Sequence, residues 1–216
     1  MITLIKRKDI LEQYKIATSL LVSFQKDTFD DNPEYFEEND DRNWYYETND
    51  AVHIDFPKPK MLHSVIAFNH SDLSTYTKAL SEKLNLLLTR LHIENVVMIG
   101  SHKQSLCGVP DHTYKPYRNA ISSFLVITND IQYEEAIVLE LADLPKLLDI
   151  AFWFNRCGGK TPEYIYFCDT NEKLCFSICR YGNIHICEYH NEVVTDELLE
   201  GLDMHFDDGR CQDQFR

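Results

Sequence analysis

Two runs near the C-terminal end limit the fold more than any other feature. Residues 174–180 and 184–189 each place an apolar side chain at alternate positions, the pattern of a strand with one face turned inward. Between them lies Gly182-Asn183, a Gly-first pair that suits a two-residue hairpin with a type II′ turn. In that register Cys187 lies on the face of Phe176 and Ile178, and Cys175 and Cys179 lie on the other. A third run, 163–168, completes a C-terminal meander of three strands.

Upstream, the apolar period changes. Ile10, Leu11, Tyr14, Ala17, Leu20, Leu21 and Phe24 follow helical spacing, predicting a helix over 10–26 with Asp9 as its cap and Glu12 completing a capping-box-like pattern. Leu73, Tyr76, Leu80, Leu84, Leu87, Leu88 and Leu91 predict a second, over 72–91. Strand-like runs at 62–68 and 96–99 flank it, and in one sheet they would be parallel neighbours. Residues 100–119 are polar, contain Pro110 and Pro116, and read as a long loop. Residues 121–128 and 136–141 read as a strand pair joined across Asn129-Asp130. A helix follows over 144–155, with Asp143 as cap, Pro145 in its first turn and Gly158-Gly159 at its end. A short helix near 195–202 and a polar tail, 203–216, close the chain. The expected fold is one α+β domain over 1–216, with a mixed or antiparallel sheet, the C-terminal meander and two or three packing helices.

Composition excludes several roles. A formal net charge of −14 opposes binding to nucleic acid or anionic lipid and favours a basic partner. No apolar run approaches the roughly 20 residues that span a bilayer, and residues 1–10 lack a signal-peptide core, so a cytoplasmic location is expected. Seven cysteines without framework spacing read as thiols, not disulfides. No metal or other cofactor is expected. The sequence contains no CxxC pair, and Gly158-Gly159-Lys160-Thr161 lacks the upstream glycine and the following helix of a phosphate-binding loop.

Two segments carry candidate function. Residues 101–112 hold Cys107, His102, His112 and Asp111, the minimum inventory for a cysteine nucleophile with its base, and would serve a small hydrolase or transferase. Residues 27–55 are densely acidic with Arg42 as their one Lys or Arg, and Phe29, Tyr35, Phe36, Trp44, Tyr45 and Tyr46 are threaded among the charges. Carboxylates that steer a basic partner around aromatic anchors are the ingredients of a tight protein interface. The candidate partner-binding residues are Glu34, Glu37, Glu38, Asp40, Asp41, Trp44, Tyr45 and Tyr46. An acidic protein that mimics nucleic acid charge is the remaining alternative.

The runs Trp153-Phe154-Asn155-Arg156-Cys157, Tyr164-Ile165-Tyr166-Phe167 and Ile178-Cys179-Arg180-Tyr181-Gly182-Asn183 form a helix and hairpin pattern over about a quarter of the chain. In this pattern, and in its acidity and lack of a catalytic signature, the chain resembles the small immunity proteins that bacteria carry beside polymorphic or contact-dependent toxins. The resemblance implies a non-enzymatic cytosolic inhibitor that occupies the active site or substrate groove of one cognate, basic toxin.

Overall fold

The computed structural model describes residues 1–31, 42–52, 59–159, 161–207 and 215. In chain order the elements are β1 (Ile2–Ile5), α1 (Arg7–Gln13), α2 (Lys15–Asp31), α3 (Arg42–Thr48), β2 (Met61–Ala67), α4 (Leu73–Arg90) and β3 (Asn95–Gly100). Then come α5 (Lys115–Thr128), β4 (Ala136–Glu140), α6 (Leu144–Cys157), β5 (Ile165–Asp169), β6 (Leu174–Ile178), β7 (Ile184–Tyr189), α7 (Asp196–Glu200) and β8 (His205–Phe206). The eight strands form one sheet in the order β1-β4-β3-β5-β6-β7-β2-β8, and every neighbouring pair is antiparallel. The chain is therefore α+β, with seven α-helices among the described residues rather than two or three.

Both faces of the sheet are covered. On one, α4, α5 and α6 bury Leu80, Leu84, Phe124, Leu147 and Phe154 against Met98, Phe167 and Phe176. On the other, α1 and α2 bury Ile10, Leu11, Leu20 and Leu21 against Val97, Ile99, Tyr166 and Cys168. A sheet buried on both sides explains why β5 and β6 have no exposed position and why β3 reads as a near-continuous apolar run. Helix α4 is capped by its neighbour: Asp72 accepts the Ser74 amide at 2.9 Å.

Several expectations need correction. The predicted helix over 10–26 is two helices broken at Tyr14, and Asp9 lies in the first turn of α1 instead of capping it. The caps are long-range glutamates: Glu135 accepts the Arg7 amide at 2.7 Å, and Glu172 accepts the Ile16 amide at 2.6 Å. Residues 121–128 belong to α5, whose Tyr117, Ala120, Ile121, Phe124 and Thr128 are buried at helical spacing. Pro116 sits in the first turn of that helix, where its missing N–H costs nothing, so the loop after β3 stops at Tyr114. Strand β4 pairs with β1 and β3. Strands β2 and β3 run the same way but are separated by β5, β6 and β7. The tail contributes β8, and Phe215 packs on Tyr76 at 4.8 Å between ring centroids.

The hairpin between β6 and β7 has a three-residue loop. Cys179 N–H donates to Asn183 O at 2.9 Å and Gly182 N–H to Cys179 O at 3.0 Å, and Gly182 has φ +89°. This is a tight turn followed by a left-handed glycine, one residue longer than the two-residue alternative. One residue of register flips every side chain to the other face. Cys175 therefore stands directly opposite Cys187, and Cys168 opposite Cys175, to which it is joined by a disulfide. The expectation of thiols alone fails at that pair, while Cys107, Cys157, Cys179 and Cys187 are free.

Candidate functional site

A buried ion pair builds the site from below. Arg7, 3% exposed, donates from Nε and Nη2 to both oxygens of Asp50, with contacts of 2.6 to 3.0 Å, and from Nη1 to Gly100 O at 2.7 Å. Gln25 Nε2 donates to Asp50 Oδ2 at 2.8 Å and to Ser101 O at 2.7 Å, while its Oε1 accepts the Asp50 amide at 3.0 Å. The guanidinium and carboxylate are thus paired and further hydrogen-bonded, as burial of charge requires. The network ties α1, α2, the segment after α3 and the end of β3 into one platform.

Helix α3 stands on that platform. Tyr45 Oη donates to Gln25 O at 2.9 Å, and Lys103 N–H donates to Thr48 O at 2.6 Å. The Tyr45 ring stacks on Phe29 at 4.5 Å and is 6% exposed. Its neighbours point outward, Trp44 at 47% and Tyr46 at 62% exposure. Of the three aromatics predicted to anchor a partner, the fold therefore presents two on the surface and uses the third to hold them there. Glu34, Glu37, Glu38, Asp40 and Asp41 lie outside the described residues.

From Trp44 a file of rings leads into a cleft. Trp44 lies 6.4 Å from His102, His102 lies 5.6 Å from Phe24 and Phe24 lies 5.1 Å from Tyr164, measured between centroids. Beyond Tyr164, between α2 and the β6-β7-β2 part of the sheet, opens a cleft of about 440 Å³. Its wall is one stripe of α2, Leu20, Ser23, Phe24 and Asp27, at i, i+3, i+4 and i+7. Its floor is two rows of cross-strand partners: Tyr166, Ser177 and His185, and beside them Cys175, Cys187 and His63. Desolvation holds the His185 imidazole below its ordinary 6.5, against the opposing pull of Asp207, and pushes the Cys187 thiol up to about 12, with Glu188 adding to the rise. Ser177 Oγ is fully buried and has no hydrogen-bond partner among the described residues. A second hollow, of about 830 Å³ beside α1, mixes Lys6, Lys8 and Lys103 with Glu12, Glu47 and Glu134 and has no single sign of charge.

The loop expected to hold a nucleophile looks different. Cys107 is 1% exposed within the core, and burial pushes its thiol above 9.0 although Tyr117 works the other way. His112 Nδ1 accepts the Tyr114 amide at 3.1 Å, and its ring packs edge-on to Tyr117 at 5.0 Å. A thiolate nucleophile needs partial exposure and an electropositive setting, neither of which Cys107 has. Among the described residues no group of three or more His, Cys, Asp or Glu side chains is placed to hold a metal ion, and no helix is long and apolar enough to cross a membrane.

The cleft was not legible beforehand. Its floor comes from four strands, and the two-residue hairpin register puts Ser177 and His185 on opposite faces. The helical stripe of α2 was visible, but nothing in it marks Phe24 and Asp27 as wall rather than core. No known protein family, curated protein or solved structure matches this chain.

Proposed function

We propose that this protein is an inhibitor of the immunity type, which binds one basic partner protein, a toxin or effector enzyme, and blocks it. The observation that carries this reading is the presentation of Trp44 and Tyr46 on a short helix. That helix is fixed from beneath by Tyr45 and the Arg7-Asp50-Gln25 network, and in the sequence it follows the acidic residues Glu34, Glu37, Glu38, Asp40 and Asp41. Large aromatics held rigid before binding lose little freedom on docking, and such residues dominate interface energetics. A net charge of −14 selects a basic partner and speeds its approach. The buried, protonated state of Cys107 favours binding over cysteine catalysis.

The test is to co-express the protein with the product of the adjacent reading frame. One stoichiometric complex whose toxicity is suppressed is the expected result. In surface plasmon resonance, Trp44→Ala and Tyr46→Ala should each raise the dissociation rate tenfold or more, corresponding to the roughly 1.4 kcal/mol or more that a hot-spot aromatic contributes. Tyr45→Phe, which keeps the buried ring and loses one hydrogen bond, should change dissociation far less. Unchanged dissociation in both Trp44→Ala and Tyr46→Ala would move the interface away from α3.

A further inference from the structure

We infer that the cleft beside α2 is a receptor for a guanidinium group, and that its occupant is an arginine side chain of the basic partner. The inference deepens the inhibitor reading and rests on it.

The chemistry of the cleft selects this group. Asp27 at the rim is acceptor-only when ionised. His185, half-buried in the floor, is held toward its neutral form by desolvation, so one ring nitrogen is an acceptor. Ser177 Oγ, buried and without a hydrogen-bond partner among the described residues, lies between Tyr166 and His185 in the same cross-strand row. A buried polar atom with no partner costs free energy until something meets it. Among the described residues that line the cleft, Asp27 and Ser177 thus offer acceptors, while the guanidinium has five N–H donors and accepts none. Phe24 and Tyr164, edge to face at 5.1 Å, offer ring surfaces to a planar cation, and guanidinium stacks on aromatic faces where an ammonium cannot.

Size and position agree with this occupant. A cleft of about 440 Å³ is within the range of sites for small ligands, roughly 300 to 1,000 Å³, and is too small for a helix or strand. It begins where the file of rings from Trp44 ends, so a partner that covers both α3 and the mouth of the cleft could insert one long side chain there. The site also accounts for the serine at 177, the one hydroxyl in a β6 strand otherwise built from apolar side chains, standing directly opposite His185.

The test uses the whole protein and three small probes: the N-acetyl methylamides of arginine, lysine and norleucine. Each is titrated while the imidazole resonances of His63 and His185 are followed by NMR. The arginine probe should give saturable shifts, the lysine probe should bind at least tenfold more weakly, and the norleucine probe should give none. Asp27→Asn and Tyr164→Ala, both at partly exposed positions, should each weaken the arginine probe about tenfold, with the circular dichroism spectrum unchanged. Equal binding of norleucine and arginine, equal binding of lysine and arginine, or no shift with any probe would each overturn the guanidinium assignment. Failure here separates from failure of the inhibitor reading. If a toxin is neutralised while the probes do not bind and Asp27→Asn leaves its affinity unchanged, only the cleft assignment falls. If arginine binds but the adjacent gene product does not, the receptor stands and the inhibitor reading falls.

Discussion

Arg7 carries a charge 3% exposed inside a protein with an excess of acids, and it remains there because Asp50, Gln25 and Gly100 O surround it. Removing one partner of such a pair strands the other charge. Asp50→Ala should therefore destabilise the fold by about 3 to 5 kcal/mol, measured as a drop in the urea midpoint at unchanged slope. Beside this network His102 is buried, and desolvation, with the Arg7 charge assisting and Asp50 opposing, holds its pKa below the ordinary 6.5. The unfolded chain then takes up a proton at a higher pH than the folded one, so stability is complete above pH 6.5 and falls as pH drops from 6.5 toward the folded value. Urea unfolding at pH 7.5 and 5.5 should show this loss, and His102→Gln should reduce it. His185 is depressed in the same direction, so part of the slope should survive in that variant. A stability that does not change over this interval would mean that neither imidazole is held neutral by the fold.

The helices of the α2 face are closed by residues far away in sequence. Glu135 caps α1 from 128 residues away, and Glu172 caps α2 from 156. Glu135→Ala and Glu172→Ala should each cost about 1 kcal/mol, the usual loss for a cap, and amide exchange should rise first at Arg7 and Ile16. Such caps also show where sequence reading stops. The helix at Leu73–Arg90 was legible because one apolar stripe, Leu73 to Leu91, runs unbroken along it. The break at Tyr14 was invisible because apolar spacing continues across it and both new caps come from elsewhere. Helix α5 was misread because Phe124 to Thr128 is a short apolar run, which periodicity alone does not assign, although Pro116 was a usable first-turn signal. The meander was legible as strands, but its register depended on one residue of loop length. The outward pair Trp44 and Tyr46 was named together with Tyr45, yet three consecutive helical positions point about 100° apart, and one of them had to turn inward.

For the molecule as a whole, the question is how −14 net charges and a small apolar site divide the task of binding. Long-range charge acts before contact and sets the rate of encounter, whereas anchors that lose their water on docking set the lifetime of the complex. The acidic run Glu37, Glu38, Asp40 and Asp41 and the anchors Trp44 and Tyr46 are close in sequence, but they should separate cleanly in kinetics. Replacing Glu37 and Glu38 by Gln, and Asp40 and Asp41 by Asn, removes four negative charges and leaves every residue of α3 and of the cleft lining unchanged. Association with the basic partner should slow roughly tenfold at low ionic strength, the low end of what electrostatic steering supplies. The dependence of the rate on salt should flatten, and the dissociation rate should stay near that of the native protein. If dissociation rises as much as association falls, these carboxylates make direct contacts, and the anchoring surface extends from α3 into the acidic segment. If neither rate changes, the field that guides the partner comes from acids spread over the whole surface, and no local cluster controls the encounter.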